Sequence, residues 1–158
     1  MAQILLLRSN ELTKYSPLGG NVDPDVYKPC VLDAQRTRLE ELLGDTLYQK
    51  ICDEFEADTL AGDYLTLYDN YIVPFLIHQS AVEYLRIGAY KINANGIFKT
   101  APDNANAVEA SEVNALVKNQ SNKADMYANR MVQWLVLSGI PEYSNYEFIR
   151  PSKNWFIL

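Results

Sequence analysis

Apolar side chains recur at spacings of three and four along most of the chain, and that period predicts four helices. Val31, Ala34, Leu39, Leu42 and Leu43 form the stripe of the first. It opens with Asp23 as N-cap and Pro24 at the first helical position, or restarts after Pro29, whose ring interrupts a helix. Gly44 can take the left-handed conformation that closes it. Asp45 then caps a second helix, Thr46 to about Ala57, burying Leu47, Ile51 and Phe55 and turning Asp53, Glu54 and Glu56 outward. From about Asp63 to Tyr90 a third pattern includes Tyr64, Leu67, Tyr68, Tyr71, Ile72, Phe75, Leu76, Val82 and Leu85. It is apolar on more than one side, which places it between other elements, and Pro74 predicts a kink or break at Val73. The last helix runs from about Val108 to Leu137, with Asn106 and Glu109 as a capping box and Val113, Leu116, Val117, Ala124, Tyr127, Met131, Trp134 and Leu135 as its apolar face. Ser138-Gly139-Ile140-Pro141 ends it.

Between the third and fourth helices the helical period lapses. Asn95-Gly96, flanked by Lys91-Ile92-Asn93 and Ile97-Phe98-Lys99, is a strong signal for a type I′ turn. The fold class expected is mainly α: a small bundle of about four helices with one projecting β-hairpin, about 91–99, and extended N- and C-terminal arms. The expected division is an arm over 1–22, a helical domain over 23–141 and an aromatic tail over 142–158. Ile4, Leu5, Leu6 and Leu7 precede a turn-rich string, Ser16 to Asn21, and are suited to pair as an added strand on another chain. Trp155, Phe156, Ile157 and Leu158 would expose an apolar patch unless they dock on their own domain or on a neighbour. These two segments, with Ile92, Asn95, Gly96, Ile97 and Phe98 of the hairpin, are the interface candidates.

Composition narrows the function more than the fold. At 158 residues, 48% hydrophobic and 22% charged, the chain reads as one folded domain. A net charge of -6 opposes a grip on phosphate backbones. The deficit is local: residues 33–69 hold ten carboxylates against Arg36, Arg38 and Lys50. The run Ile4–Leu7 is too short for a signal peptide, and no stretch approaches the roughly 18 apolar residues of a spanning helix, so no membrane partner is expected. Cys30 and Cys52 lack metal or redox spacing and read as reduced packing residues. His78 is the single histidine, with no HExxH around it, and reads as a structural or interface residue. A metal-dependent hydrolase would need it to converge with carboxylates such as Asp69 or Glu83. The string Asp53, Glu54, Glu56, Asp58 lacks the ligand order of a calcium loop. It reads as a solvated face, with a weak cation site or a charged surface toward a partner as the alternatives. There is no phosphate-cradling glycine motif. No catalytic, cofactor or metal residues are expected, and the chain reads as a non-enzyme.

Two blocks carry a resemblance: Asn21-Val22-Asp23 through Tyr27-Lys28-Pro29 to Ala34-Gln35, and Leu43-Gly44-Asp45-Thr46-Leu47-Tyr48. It continues through Tyr71 to Phe75, Gln79 to Tyr84, the Lys91 to Ile97 segment and Lys123 to Arg130. In order and spacing these resemble the head-to-tail connector proteins, the adaptor or ring proteins of the neck, of tailed bacteriophages, closest to those of Bacteroidetes-infecting and crAss-like phages. The resemblance covers roughly Val22 to Leu135. It implies a structural virion protein, made in the host cytoplasm, that forms a closed ring, a dodecamer, in the neck between the capsid portal and the tail. Its partners would be copies of itself, the portal protein and other neck or tail proteins, with genomic DNA only passing through the channel. Asp53, Glu54, Glu56 and Asp58 would then be candidates for a channel-facing acidic lining along which DNA slides. The competing reading is a small acidic regulatory or inhibitory binding protein that uses the same carboxylates as its site.

Overall fold

A computed structural model describes residues 4–16, 18, 23–88, 90–93, 96–99 and 110–144. Helix α1 is Ser9–Tyr15. Helix α2 covers 24–43 without a break: an α-helical stretch Pro24–Ala34, a wider π-turn Gln35–Leu39, and a last α-turn Glu40–Leu43. Helix α3 is Asp45–Glu56. Helix α4 covers 62–88, as Gly62–Leu67, a second π-turn Tyr68–Ile72, and Val73–Gly88. Strands β1, Tyr90–Asn93, and β2, Gly96–Lys99, pair antiparallel with Ile92 opposite Ile97 and Asn93 opposite Gly96. Helix α5 is Ala110–Ser138, and a single turn α6, Pro141–Ser144, follows it. The chain is mainly α.

Local chemistry explains the boundaries. The Asp23 carboxylate accepts from the Asp25 N–H at 3.0 Å and Pro24 occupies the first helical position, so α2 starts there. Pro29 neither breaks nor restarts the helix. It lies near the N-terminus on an exposed face, where water can satisfy the carbonyl its missing N–H leaves behind. Gly44 has φ 77°, accepting from the Tyr48 N–H at 2.9 Å while its own N–H donates to the Glu40 carbonyl at 2.9 Å. It thus ends α2 and also caps α3. Asp45, expected to be that cap, is the first residue of α3 instead. At Pro74 the expected interruption takes the form of the π-turn immediately before it, closed by the Val73 N–H on the Tyr68 carbonyl, and the helix runs on to Gly88. The capping pair Asn106 and Glu109 lies outside the described residues.

Helix α4 is the centre of the body, with α5 along one side, α2 along another, and α1 against it. The buried stripe of α5 is Gln120, Ala124, Ala128, Met131 and Leu135. Its alanines let α4 approach closely, and Ala81 of α4 is equally buried. Leu39, Leu43, Leu47, Ile51, Leu67, Ile72, Phe75 and Leu76 complete the core with no measurable exposure. Each stabilises the fold by about 1.5–3 kcal/mol through burial.

The described residues before 23 are not an extended arm. Residues 9–15 are helical, with the Glu11 carboxylate accepting from the Arg8 N–H at 2.9 Å. Leu6, Leu7, Leu12 and Leu18 sit in the same core as α2 to α5. The core therefore does not begin at the expected boundary of residue 23.

Candidate functional site

Among the described residues lie three polar clusters and a cleft, each assembled by elements distant in sequence. The first centres on Gln35, where the π-turn in α2 places an amide in the core with no exposure. Its Oε1 accepts the Leu6 N–H at 2.8 Å, and its Nε2 donates to the Ile4 carbonyl at 3.0 Å and to the Tyr48 hydroxyl at 3.1 Å. The Tyr68 hydroxyl donates to the Leu6 carbonyl at 2.9 Å. One buried amide thus takes up the backbone polarity of an irregular segment that has no secondary structure of its own. Burial pushes the Tyr48 phenol up to about 12, partly opposed by its bond from Gln35, and pushes Tyr68 up as well. For the interface candidates Ile4–Leu7 this is a correction. Leu6 and Leu7 are buried in their own protomer, and Ile4 and Leu5 pack against the same core. They do not form a free strand.

The second cluster ties α2, α4 and α5 together. Arg38 donates to Gln79 Oε1 at 2.7 Å and to Asp125 Oδ1 at 2.9 Å, and its guanidinium lies 5.6 Å from the Phe75 ring centre. Gln79 passes the chain on to Glu83 at 2.9 Å. Beside it, His78 Nδ1 lies 2.7 Å from Gln120 Oε1 and the ring stacks on Tyr127 at 5.7 Å. An amide oxygen only accepts, so Nδ1 carries the proton. Burial lowers the His78 pKa, the Gln120 bond opposes this, and Lys123 adds to it. Asp69 and Glu83 do not join His78. Glu83 is about 140° around α4 from it and bonds Gln79 and Arg86, while Asp69 lines the cleft described below. Among the described residues no three His, Cys, Asp or Glu side chains are grouped to hold a metal. His78 thus meets Gln120 and Tyr127 rather than Asp69 or Glu83.

The third cluster fastens α6 to the body. Lys50 Nζ lies 3.1 Å from Glu142 Oε1, the Tyr64 hydroxyl donates to Glu142 Oε2 at 2.8 Å, and Lys50 sits 4.4 Å above the Tyr64 ring. Burial alone would raise the Glu142 carboxyl. The Tyr64 bond and the Lys50 ammonium outweigh it and hold it below the ordinary carboxylate range. Burial, then the Glu142 carboxylate, raises Tyr64. Cys30 and Cys52 are buried free thiols, each pushed up to about 11 chiefly by burial.

The acidic residues singled out in sequence divide between two places. Asp53 and Glu56 are exposed on the outer face of α3, with Asp53 accepting from Gln49 at 2.9 Å. Glu54 and Asp58 line an open cleft of about 170 Å³, with Arg8, Glu11 and Asp69 as its other charged groups and Phe55, Leu60, Leu65 and Tyr68 as its apolar lining. Asp58 has φ 55° and closes α3 in a Schellman arrangement, its N–H on the Phe55 carbonyl and the Thr59 N–H on the Glu54 carbonyl. Sequence singled out Asp69 only as a partner for His78 and Glu11 not at all, because only the packing of α1 and α4 beside α3 brings them to this cleft. Of the remaining interface candidates, Ile92, Gly96, Ile97 and Phe98 lie in β1 and β2, while Asn95 and Trp155–Leu158 fall outside the described residues.

A helical body with clustered surface charge and no metal-binding group among its described residues defines a class by architecture alone. The chain belongs to DUF6712, a family of unknown function, whose match extends over residues 39–152. No curated protein and no solved structure matches it. Among the described residues no helix is long and apolar enough to cross a membrane.

Proposed function

We propose that this chain is a structural protein of the bacteriophage neck, whose copies form a ring that joins the portal to the tail and surrounds the DNA channel. The observation that carries this reading is the shared order and spacing of residues from Val22 to Leu135. Many of those residues have architectural work in this fold. Asp23 caps α2, Gln35 holds the N-terminal segment, Gly44 makes the α2–α3 corner, and Gln79 bonds Arg38. A protein whose task is shape and interface needs such residues more than it needs a reactive cluster.

In this reading the hairpin around Asn95-Gly96 projects from the body, and the tail ending in Trp155–Leu158 contacts neighbouring subunits. Carboxylates left outside the subunit contacts face the channel, where they repel the DNA backbone and let it slide. The test is to co-express the chain with a portal protein of the same phage and measure mass and shape in solution. A portal-bound ring is expected. A monomer that ignores the portal overturns the reading in favour of a small acidic binding protein.

A further inference from the structure

We infer that the outer face of α5 is a contact surface for a second copy of this chain, which it meets through the acidic flank of α3 and its cleft. The inference rests on the ring-forming reading above and names the two surfaces that would close the ring.

Helix α5 runs for 29 residues and buries only one stripe against the body. On the rest of its surface Leu116, Met126 and Val136 are 44%, 38% and 64% exposed, and Leu137 is 86% exposed. Leu116, Lys123, Arg130 and Leu137 stand seven apart, so on the helix they form one continuous row, with Met126 beside it. Lys123 and Arg130 are exposed and form no ion pair among the described residues. Asp125, the acidic residue nearest them in sequence, is taken by Arg38. This row sets exposed apolar side chains beside positive charge that has no ion pair among the described residues, the electrostatic complement of an acidic surface.

The complementary charge is on the same protomer but on another element. Of the three basic residues within 33–69, Arg38 is committed to Asp125, and Lys50 is shared between Glu54 and Glu142. Asp53 and Glu56 remain exposed on the outer face of α3, and Asp58 and Asp69 at the apolar-lined cleft. One copy cannot be both donor and acceptor of this contact with itself. Two copies meeting head to tail bring Lys123 and Arg130 to the carboxylates and remove Met126 and Leu137 from water. Because two different surfaces of the protomer are used, the contact is heterologous, and such contacts close into rings when the rotation allows.

The experiment is reciprocal charge reversal, read as mass in solution with and without the portal protein. Lys123→Glu with Arg130→Glu, and separately Asp53→Lys with Glu56→Lys, are each expected to weaken association roughly a hundredfold. All four positions are exposed, so thermal melting of the monomer should not move. Combining both pairs in one chain, or mixing the two variants, is expected to restore association. Rings that form normally in either variant overturn the assignment of surfaces while leaving the ring reading intact. Reversal on α5 that lowers monomer stability instead shows residues 145–158 of the same chain to be the occupant, and overturns it as well. A wild-type chain that never associates, with or without the portal, overturns both.

Discussion

Gln35 holds more of this structure together than any charged residue. Three long-range polar contacts of the N-terminal segment converge within two residues of Leu6, and two of them involve the Gln35 amide, which also bonds the Tyr48 hydroxyl. Gln35→Ala leaves the Leu6 N–H and the Ile4 carbonyl without their partner. Each buried group so orphaned costs about 1–3 kcal/mol, so urea denaturation should show a loss of about 3 kcal/mol or more. His78 sets a different expectation. Its folded pKa lies below the ordinary 6.5, so on acidification the unfolded chain takes the proton first. Stability is then level above about pH 7 and falls as pH drops through 6.5 and below. Glu142 is also depressed, so its contribution is present above 4.5 and is lost as pH falls through its folded value. Denaturation midpoints measured from pH 8 to 4 should fall in two windows, and His78→Gln should abolish the upper one only. In sequence His78 reads as a structural or interface residue, and the fold gives it a hydrogen bond to Gln120. Gln35 is silent there, because a buried amide is recognised only by partners that tertiary folding brings to it.

Elements divide along a similar line. The periodic helices and their Asp23 and Gly44 signals are readable, since caps and apolar spacing act within a few residues. The two π-turns are not, because each is a register shift that pays only when a packed neighbour fixes it: Gln35 on the N-terminal segment, and Pro74 in the middle of α4. Helix α1 escapes detection because its seven residues carry a single buried leucine, Leu12, too few for a period. The segment before it looks like a free arm for the same reason. Leu6 is fully buried, so Leu6→Ala should cost about 2–5 kcal/mol by chemical denaturation, whatever the state of assembly. A variant that loses assembly but keeps its stability would show the segment to be an interface instead of core.

For the whole molecule, the outcome that matters is which surfaces stay uncovered. In the ring reading the tail contacts neighbouring subunits, so deleting 154–158 should leave the melting temperature of the body within a few degrees while assembly is lost. Unfolding of that truncated chain would show the tail to be part of the core. Charge tells a parallel story: the acidic excess of 33–69 is plain from composition, yet its division between the outer face of α3 and the cleft is not. By itself the sequence determined a mainly helical chain, the places where its long helices begin and turn, and a lack of reactive motifs, because capping, periodicity and composition are local or additive. Only the tertiary structure decided that Ile4–Leu7 belong to the core, that His78 meets Gln120 and not a carboxylate, and that α5 leaves an apolar, basic row facing outward. Those depend on contacts between residues 29 to 87 positions apart, whose energies exist only once the chain has folded.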